Sequence, residues 1–224
     1  MRRPRRRVSS STTHRGERTE EDGMRVIVIG GTGTIGQAVA DALQSSGHEV
    51  VRAARTGGDV RVDITSKASI EEMYRAVGRF GALVSCAGSG AWKPLPELSD
   101  DDFQASLGNK LMGQVNLVRA GMAQVADGGS FTLTSGVLAQ SPMPGSAAIS
   151  LVNAGLEGFG RAAALEAVRG VRVNVVSPPW VSETLTAMGM DPSGGMPAEQ
   201  VARAYLAAVE GTQNGATIDA RDFG

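Results

Sequence analysis

The chain has 224 residues, of which 42% are hydrophobic, and a formal net charge of −1 at neutral pH. This length and composition suit one domain with a full core, and the near-neutral charge excludes a general attraction for nucleic acid. No segment approaches the ~18 consecutive apolar residues of a membrane span, so we expect neither a nucleic-acid partner nor membrane insertion.

Residues 1–23 differ from the rest, because they carry seven arginines, four acidic residues and almost no apolar side chain. Such a segment cannot bury enough surface to offset its ordering entropy, so we interpret it as a disordered basic tail. An alternative is an arm for nucleic acid or an anionic surface. No apolar stretch follows the arginines, so they do not form an export signal. We place the folded domain at residues 24–224.

Cys86 is the only cysteine, so no internal disulfide is possible and a reducing cytoplasm is the expected compartment. We interpret Cys86 as a small packed residue at a strand end. The sequence suggests no metal site.

In the first half, apolar runs and turn residues predict strands at 25–30, 48–53, 60–62 and 82–88. Helices are predicted between the first two strands, ending near Ser46 before Gly47, and at 69–77. The loop after residue 88 contains two prolines and is not regular structure.

In the second half, Ser99 is predicted to cap a helix, with Asp102 three residues later, that runs to about Val125. Strands are predicted at 130–135, 171–177 and 216–220, and helices at 147–168 and 197–210. This alternation predicts a single α/β domain with a Rossmann-type, doubly wound parallel sheet and helices on both faces.

A glycine-rich loop follows the first strand and opens the first helix. Gly31, Gly33 and Gly36 match G-x-G-x-x-G in the context that this motif requires. Glycines permit the tight turn and a close approach of backbone to a pyrophosphate, and the helix N-terminus offers free N–H groups. We predict dinucleotide contacts from the whole loop: Gly30, Gly31, Thr32, Gly33, Thr34, Ile35 and Gly36.

The residues at the end of the second strand indicate whether the dinucleotide is NAD(H) or NADP(H). An NAD site usually has an acidic residue there for the ribose 2′-hydroxyl, whereas this chain has Arg52, Arg55 and Thr56. A 2′-phosphate would pair with an arginine, so we predict NADP(H) in preference to NAD(H), with Arg55 and Thr56 at the phosphate. The alternative is that both arginines are merely solvated.

Several segments in order resemble the short-chain dehydrogenase/reductase family, and the likeness extends from Met24 to the C-terminus. The segments are "GGTGTIG", "VDIT" (62–65), "SCAG" (85–88), Asn109, "TLTSG" around Ser135, "NAGLEGFGRAAALE" (153–166) and "RVNVVSPPW" (172–180).

The resemblance implies roles for individual residues. Asn109 would hold an active-site water and Ser135 would bind a substrate carbonyl, which makes these two the catalytic candidates. Further cofactor contacts are implied at Asp63, Ile64, Cys86, Ala87, Gly88, Asn153, Pro178 and Val181, with Pro179 and Thr184 in the same loop as the last two. The resemblance also implies a homodimer or homotetramer.

The chain departs from the family at its Tyr-x-x-x-Lys motif, where Ile149 and Asn153 stand. In the family the tyrosine donates a proton and the lysine holds the nicotinamide ribose. Ile149 cannot donate a proton, and Asn153 can hydrogen-bond the ribose but brings no charge. Two substitutes are conceivable. One is Ser135, as a relay for a proton from water. The other is Lys110, which adjoins Asn109, although the ~100° turn per residue makes an exposed lysine the simpler interpretation.

Three functions therefore stay open. The first is an atypical NADP(H)-dependent oxidoreductase acting on a small carbonyl, enone or alcohol. The second is an NADP(H)-binding regulatory protein without turnover, and the third is a structural subunit without catalytic activity. A small apolar substrate could be lined by Trp92, Trp180, Leu185, Met188 and Met190.

Overall fold

The computed structural model describes residues 23–224, so the tail predicted at residues 1–23 lies outside the described residues except for Gly23. Seven strands form one sheet in the order β3-β2-β1-β4-β5-β6-β7, and every neighbouring pair is parallel. The strands are β1 (Arg25–Ile29), β2 (Glu49–Ala54), β3 (Val60–Arg61), β4 (Phe80–Ser85), β5 (Val125–Thr134), β6 (Arg172–Ser177) and β7 (Thr217–Asp219).

Helices cover both faces of this sheet. They are α1 (Thr34–Ser45), α2 (Lys67–Val77), α3 (Asp100–Ser106), α4 (Met112–Gly121), α5 (Ala147–Glu166), α6 (Ser182–Ala187) and α7 (Ala198–Glu210). The predicted doubly wound α/β fold is confirmed.

Alternation along β1 explains the two layers. Ile27 and Ile29 pack in one core cluster with residues of α2, α4 and α5. Val26 and Val28 pack in a second cluster with residues of α1 and α7. Successive side chains of a strand point to opposite faces, so a strand that is apolar throughout is buried on both faces.

The strand order reverses between β1 and β4, because the chain leaves β1 first toward β2 and later returns to its other side. In sheets of this kind the helices diverge at that point, and a crevice opens at the carboxyl ends of the strands. The loops that follow β1, β4 and β5 therefore meet at one edge of the sheet.

The central helix differs from its prediction in its middle and at its end. It begins with the predicted capping box between Ser99 and Asp102, but a π-helical turn occupies Leu107–Leu111. It ends at Gly121 and not near Val125, which instead begins β5. At this end Tyr74 donates a hydrogen bond to the carbonyl of Leu117, and its ring lies directly against Gly121.

Within residues 23–224, none of the helices combines the length and the apolar character that crossing a membrane requires.

Candidate functional site

A cleft of about 370 Å³ opens at the carboxyl edge of the sheet, over the point where the strand order reverses. Its walls come from the loops after β1, β2, β3 and β4 and from the helical turn that contains Asn109. The lining residues are Ile29, Gly30, Thr32, Gly33, Ala54, Arg55, Thr56, Val62, Asp63, Ile64, Cys86, Ala87, Gly88, Ser89 and Asn109.

The glycine-rich loop forms the floor of this cleft. Gly30 has a φ of 76°, which favours glycine, and a Cβ on Gly36 would overlap the carbonyl oxygen of Gly30. Gly33 caps α1 without any side-chain hydrogen bond, and the first turn of α1 has no acidic residue. The helix therefore presents unshielded N–H groups and its positive dipole end to the cleft.

Not all seven predicted loop residues reach the cleft. Gly30, Thr32 and Gly33 line it, whereas Gly31 and Gly36 are buried beneath it. Thr34 is exposed at the start of α1, and Ile35 packs against the core under α1 and α7.

The two arginines near the end of β2 have different environments. Arg52 is held on the flank of α1, where it forms an ion pair with Asp41 (2.7 Å) and donates to Gln44 (3.0 Å). Arg55 is exposed and lines the cleft together with Thr56. The arginine available to a ligand is therefore Arg55.

Asp63 and Ile64 close the same end of the cleft. The Asp63 carboxylate accepts hydrogen bonds from the hydroxyl (2.7 Å) and backbone N–H (2.9 Å) of Thr65, which lower its pKa, and the charge of Arg55 acts in the same direction. Ile64 is buried in the core below.

After β4, Cys86, Ala87 and Gly88 form the opposite wall. Burial raises the pKa of the Cys86 thiol to about 12, so the thiol stays protonated and is not a nucleophile. The Asn109 side-chain oxygen accepts a hydrogen bond from the backbone N–H of Ser89 (3.0 Å). Asn109 thereby fixes the loop that carries this wall.

Ser135 follows β5 and is not among the residues that line the cleft. The residue is 2% exposed, and its Oγ donates to Glu157 Oε1 (3.0 Å), which also accepts from Gln140 Nε2 (2.5 Å). Glu157 lies on α5 and is itself buried. The sequence reasoning missed this buried carboxylate; its sequence signal is its position four residues after Asn153, on the same face of a helix.

Lys110 is not the exposed helix lysine that a regular helix favours. It is 8% exposed, and its Nζ donates to the backbone carbonyl of Ser135 (2.8 Å). Burial lowers the pKa of Lys110 to about 8. The π-helical turn at Leu107–Leu111 changes the local angular spacing, so that Asn109 and Lys110 both contact loops at the carboxyl edge.

Ile149 and Asn153 lie near the front of α5. Ile149 is half-buried and packs against Gly90, in the loop after β4. Asn153 is 2% exposed, and its Nδ2 donates to the carbonyl of Gly136 (3.4 Å). Its Oδ1 is buried and has no hydrogen-bond partner among the described residues.

The loop after β6 forms the far side of the site. Pro178 is buried and its carbonyl accepts from the N–H of Val137 (3.1 Å), whereas Val181 packs in the core and bridges to Met196. Neither lines the cleft.

The five residues predicted to line a pocket for an apolar substrate do not all lie in one place. Trp92 and Trp180 pack edge to face with ring centroids 5.7 Å apart, which joins the loops after β4 and β6. Leu185 is buried, and Met188 and Met190 are exposed on the outer surface.

Comparison with known proteins decides the family. The sequence model described as Enoyl-(Acyl carrier protein) reductase matches residues 16–216. The chain belongs to the short-chain dehydrogenase/reductase family. It is 30% identical over 179 residues to the 3-oxoacyl-[acyl-carrier-protein] reductase of Rattus norvegicus, covering 71% of this chain and 76% of that relative.

Two solved structures share the fold. The protein lin1944 from Listeria innocua superposes with a TM-score of 0.84 at 39% identity, covering 88% of this chain and 99% of that one. A small-chain dehydrogenase in complex with NADPH superposes with a TM-score of 0.77 at 27% identity, covering 88% and 96%. As a member of this family, the chain is related to oxidoreductases that use a nicotinamide cofactor.

Proposed function

We propose that this chain is an NADP(H)-dependent short-chain oxidoreductase that acts on a small carbonyl, enone or alcohol. We further propose that it is an atypical member that works without the Tyr-x-x-x-Lys pair. The observation that carries the proposal is the cleft, where the glycine loop, the bare start of α1 and Arg55 converge.

The residues present fit a dinucleotide. A Cβ on Gly36 would fill the turn beneath the pyrophosphate position, and the first turn of α1 has no acid to repel phosphates. Gly30, Thr32 and Gly33 line the cleft with their small side chains or none, which leaves room for phosphates next to the start of α1. When bound, the nicotinamide supplies the hydride.

The preference for NADP(H) rests on Arg55. Arg55 lines the cleft, whereas Arg52 is already paired with Asp41. No acidic residue follows β2 until Asp59, whose carboxylate accepts from the backbone N–H of Arg52 (2.8 Å). The NADPH bound to a similar small-chain dehydrogenase is consistent with this choice.

The substrate class rests on the relatives and on the aromatic pair that joins the loops after β4 and β6. The similar proteins include a 3-oxoacyl-[acyl-carrier-protein] reductase and, at 29% identity over 154 residues, the hydroxynaphthalene reductase arp2 of Aspergillus fumigatus. The Trp92–Trp180 pair offers an apolar, aromatic surface to a substrate of this kind.

A nucleotide-binding protein without turnover is the second candidate. It is favoured by Ile149, which has no proton to give, and by the Ser135 hydroxyl, which is engaged by Glu157. Hydride transfer to a conjugated double bond depends less on an enzymatic acid than reduction of a ketone does, so enones belong in any substrate panel.

Titration calorimetry with NADPH and NADH tests the cofactor assignment. NADPH should bind at least about tenfold more tightly, because one charge-assisted hydrogen bond contributes roughly 1.5–3 kcal/mol. Arg55→Ala should remove that preference, whereas Arg52→Ala, the matched control, should keep it. Equal affinities in the unmodified protein would contradict the assignment.

Turnover is tested separately from binding. Oxidation of NADPH is followed over a panel of ketones, aldehydes, enones and quinones, at nucleotide concentrations that calorimetry shows to be saturating. Turnover on any member of the panel supports the enzyme. Saturable NADPH binding without oxidation across the panel would favour the second candidate.

A further inference from the structure

Two tryptophans form a bridge across the carboxyl end of β5. Trp92, in the loop after β4, and Trp180, in the loop after β6, pack edge to face with ring centroids 5.7 Å apart. In the sheet, β4 and β6 lie on either side of β5, so a contact between their loops spans the end of β5. The Trp92 ring also lies against Gly145, in the loop after β5, where a Cβ would be 3.0 Å from the indole nitrogen.

Both loops are anchored next to their tryptophan. In the loop after β4, the backbone N–H of Lys93 donates to the carbonyl of Gly145 (3.1 Å). The Lys93 Nζ donates to both carboxylate oxygens of Asp102 (2.8 and 2.9 Å), in the first turn of α3. In the loop after β6, the backbone N–H of Met196 donates to the carbonyl of Trp180 (2.8 Å).

These contacts can open at a modest cost. We call the Trp92–Trp180 pair and the Lys93–Asp102 ion pair the indole clasp. Trp92 is 44% exposed, and the Lys93 side chain is 47% exposed. An aromatic pair and an ion pair that are open to water each contribute only modestly to stability. Neither tryptophan belongs to the two core clusters of the described residues, so the loops can separate without disturbing the core.

The indole clasp continues the wall of the nucleotide cleft. Ser89 lines the cleft, and Trp92 lies three residues farther along the same loop. The backbone N–H of Ser89 donates to Asn109 Oδ1 (3.0 Å). The backbone N–H of Ala91 donates to Ser106 Oγ (2.9 Å). The wall itself is therefore fixed, and movement of the loop is confined to the residues that follow Ala91.

A dinucleotide in the cleft would extend beneath the indole clasp. Such a ligand lies across the point where the strand order reverses, with its halves on opposite sides of that point. Arg55 and Asp63 line the cleft on the β2 and β3 side, so the other half points toward the ends of β4 and β5. Because the clasp spans the end of β5, it covers the way by which that half enters and leaves.

We propose that the indole clasp is a gate that sets how fast NADP(H) enters and leaves the cleft. This proposal rests on the proposed nucleotide-binding function. Every contact of the clasp joins protein to protein, so the clasp closes equally with and without nucleotide. Weakening such a gate raises the association and dissociation rates by the same factor. The dissociation constant stays unchanged, because a ligand shifts only an equilibrium between states that bind it differently.

Stopped-flow kinetics with NADPH, followed by nicotinamide fluorescence, test the gate. Lys93→Met removes the ion pair and should raise both rates about 1.5- to fivefold, from the usual strength of an exposed pair. Trp92→Ala removes the aromatic pair and should raise both rates about two- to tenfold. Calorimetry should give dissociation constants within about twofold of the unmodified protein for both variants.

The controls separate the gate from the proposed function. Leu95→Ala changes an exposed side chain of the same loop, outside the clasp, and should leave both rates unchanged. Hydrogen exchange in the loop after β4, measured without nucleotide, should become faster in Lys93→Met. If the unmodified protein binds no NADPH, the proposed function fails and the gate fails with it. If it binds NADPH, unchanged rates in Lys93→Met and Trp92→Ala, or a rise in dissociation alone, refute the gate.

Discussion

The burial of Lys110 makes a quantitative prediction about stability. The perturbation is Lys110→Met, which keeps most of the side-chain volume and removes the titrating amine. We expect the unmodified protein to gain stability relative to this variant as the pH rises above 7. The measured quantity is the difference between their free energies of unfolding at each pH.

The sign and the size follow from the pKa of Lys110. Burial lowers it from 10.5 to about 8, so between those values the unfolded chain holds the proton more firmly than the folded chain. Stability rises with pH wherever the unfolded state binds more protons, so the burial penalty is present below about pH 8 and is relieved as the pH rises toward 10.5. Integration gives a penalty of about 3 kcal/mol at pH 7 and a relief of about 1.3 kcal/mol between pH 7 and pH 9.

The comparison across pH is cleaner than either stability alone. Lys110→Met also leaves the Ser135 carbonyl without its donor, which costs about 1–3 kcal/mol and is independent of pH over this range. Urea unfolding at pH 7, 8 and 9 without nucleotide isolates the titrating part, and Lys67→Met controls for the loss of an exposed lysine. A difference that stays flat or falls with pH would refute the buried position of the ammonium.

Three further predictions concern other parts of the molecule. Ser99→Ala should lower the free energy of unfolding by about 1 kcal/mol in urea titrations, because it removes the side-chain cap of α3. Introducing Ile149→Tyr and Asn153→Lys should yield ~10²–10⁴-fold more ketone reduction only when Lys110→Met accompanies them, since two ammonium groups would otherwise repel each other. No gain in the triple variant would contradict this. Light scattering at micromolar concentration should give a homodimer or homotetramer, and Leu165→Glu, at a side chain 89% exposed, should shift it toward the monomer.

Local signals predicted much of the fold. The apolar strand before the glycine loop and the cap at Ser99 depend on residues close in sequence, and both are present in the structure. The central helix ends at Gly121, where Tyr74 from 47 residues earlier packs against it, and local helical propensity placed that end too late.

The candidate site likewise has features that the sequence predicted and features that it did not. Arg55 was separable from Arg52 by strand alternation, and the structure places it at the cleft. The direction of the Ser135 hydroxyl depends on Glu157, which reaches it from another element. The inward position of Lys110 depends on a π-helical turn, a change of pitch that a 3.6-residue periodicity does not encode. Side-chain direction at the site was therefore the part that sequence periodicity could not supply.

The edge-to-face pair of Trp92 and Trp180 has an optical consequence. The chain contains two tryptophans, and both belong to this pair. All of the indole emission of the protein therefore originates between the loops after β4 and β6, with no background from a distant ring. Reduced nicotinamide absorbs where indoles emit, so energy transfer would report occupancy of the neighbouring site without any attached dye. A shift in emission wavelength on adding an apolar compound would separately report solvent leaving the two rings.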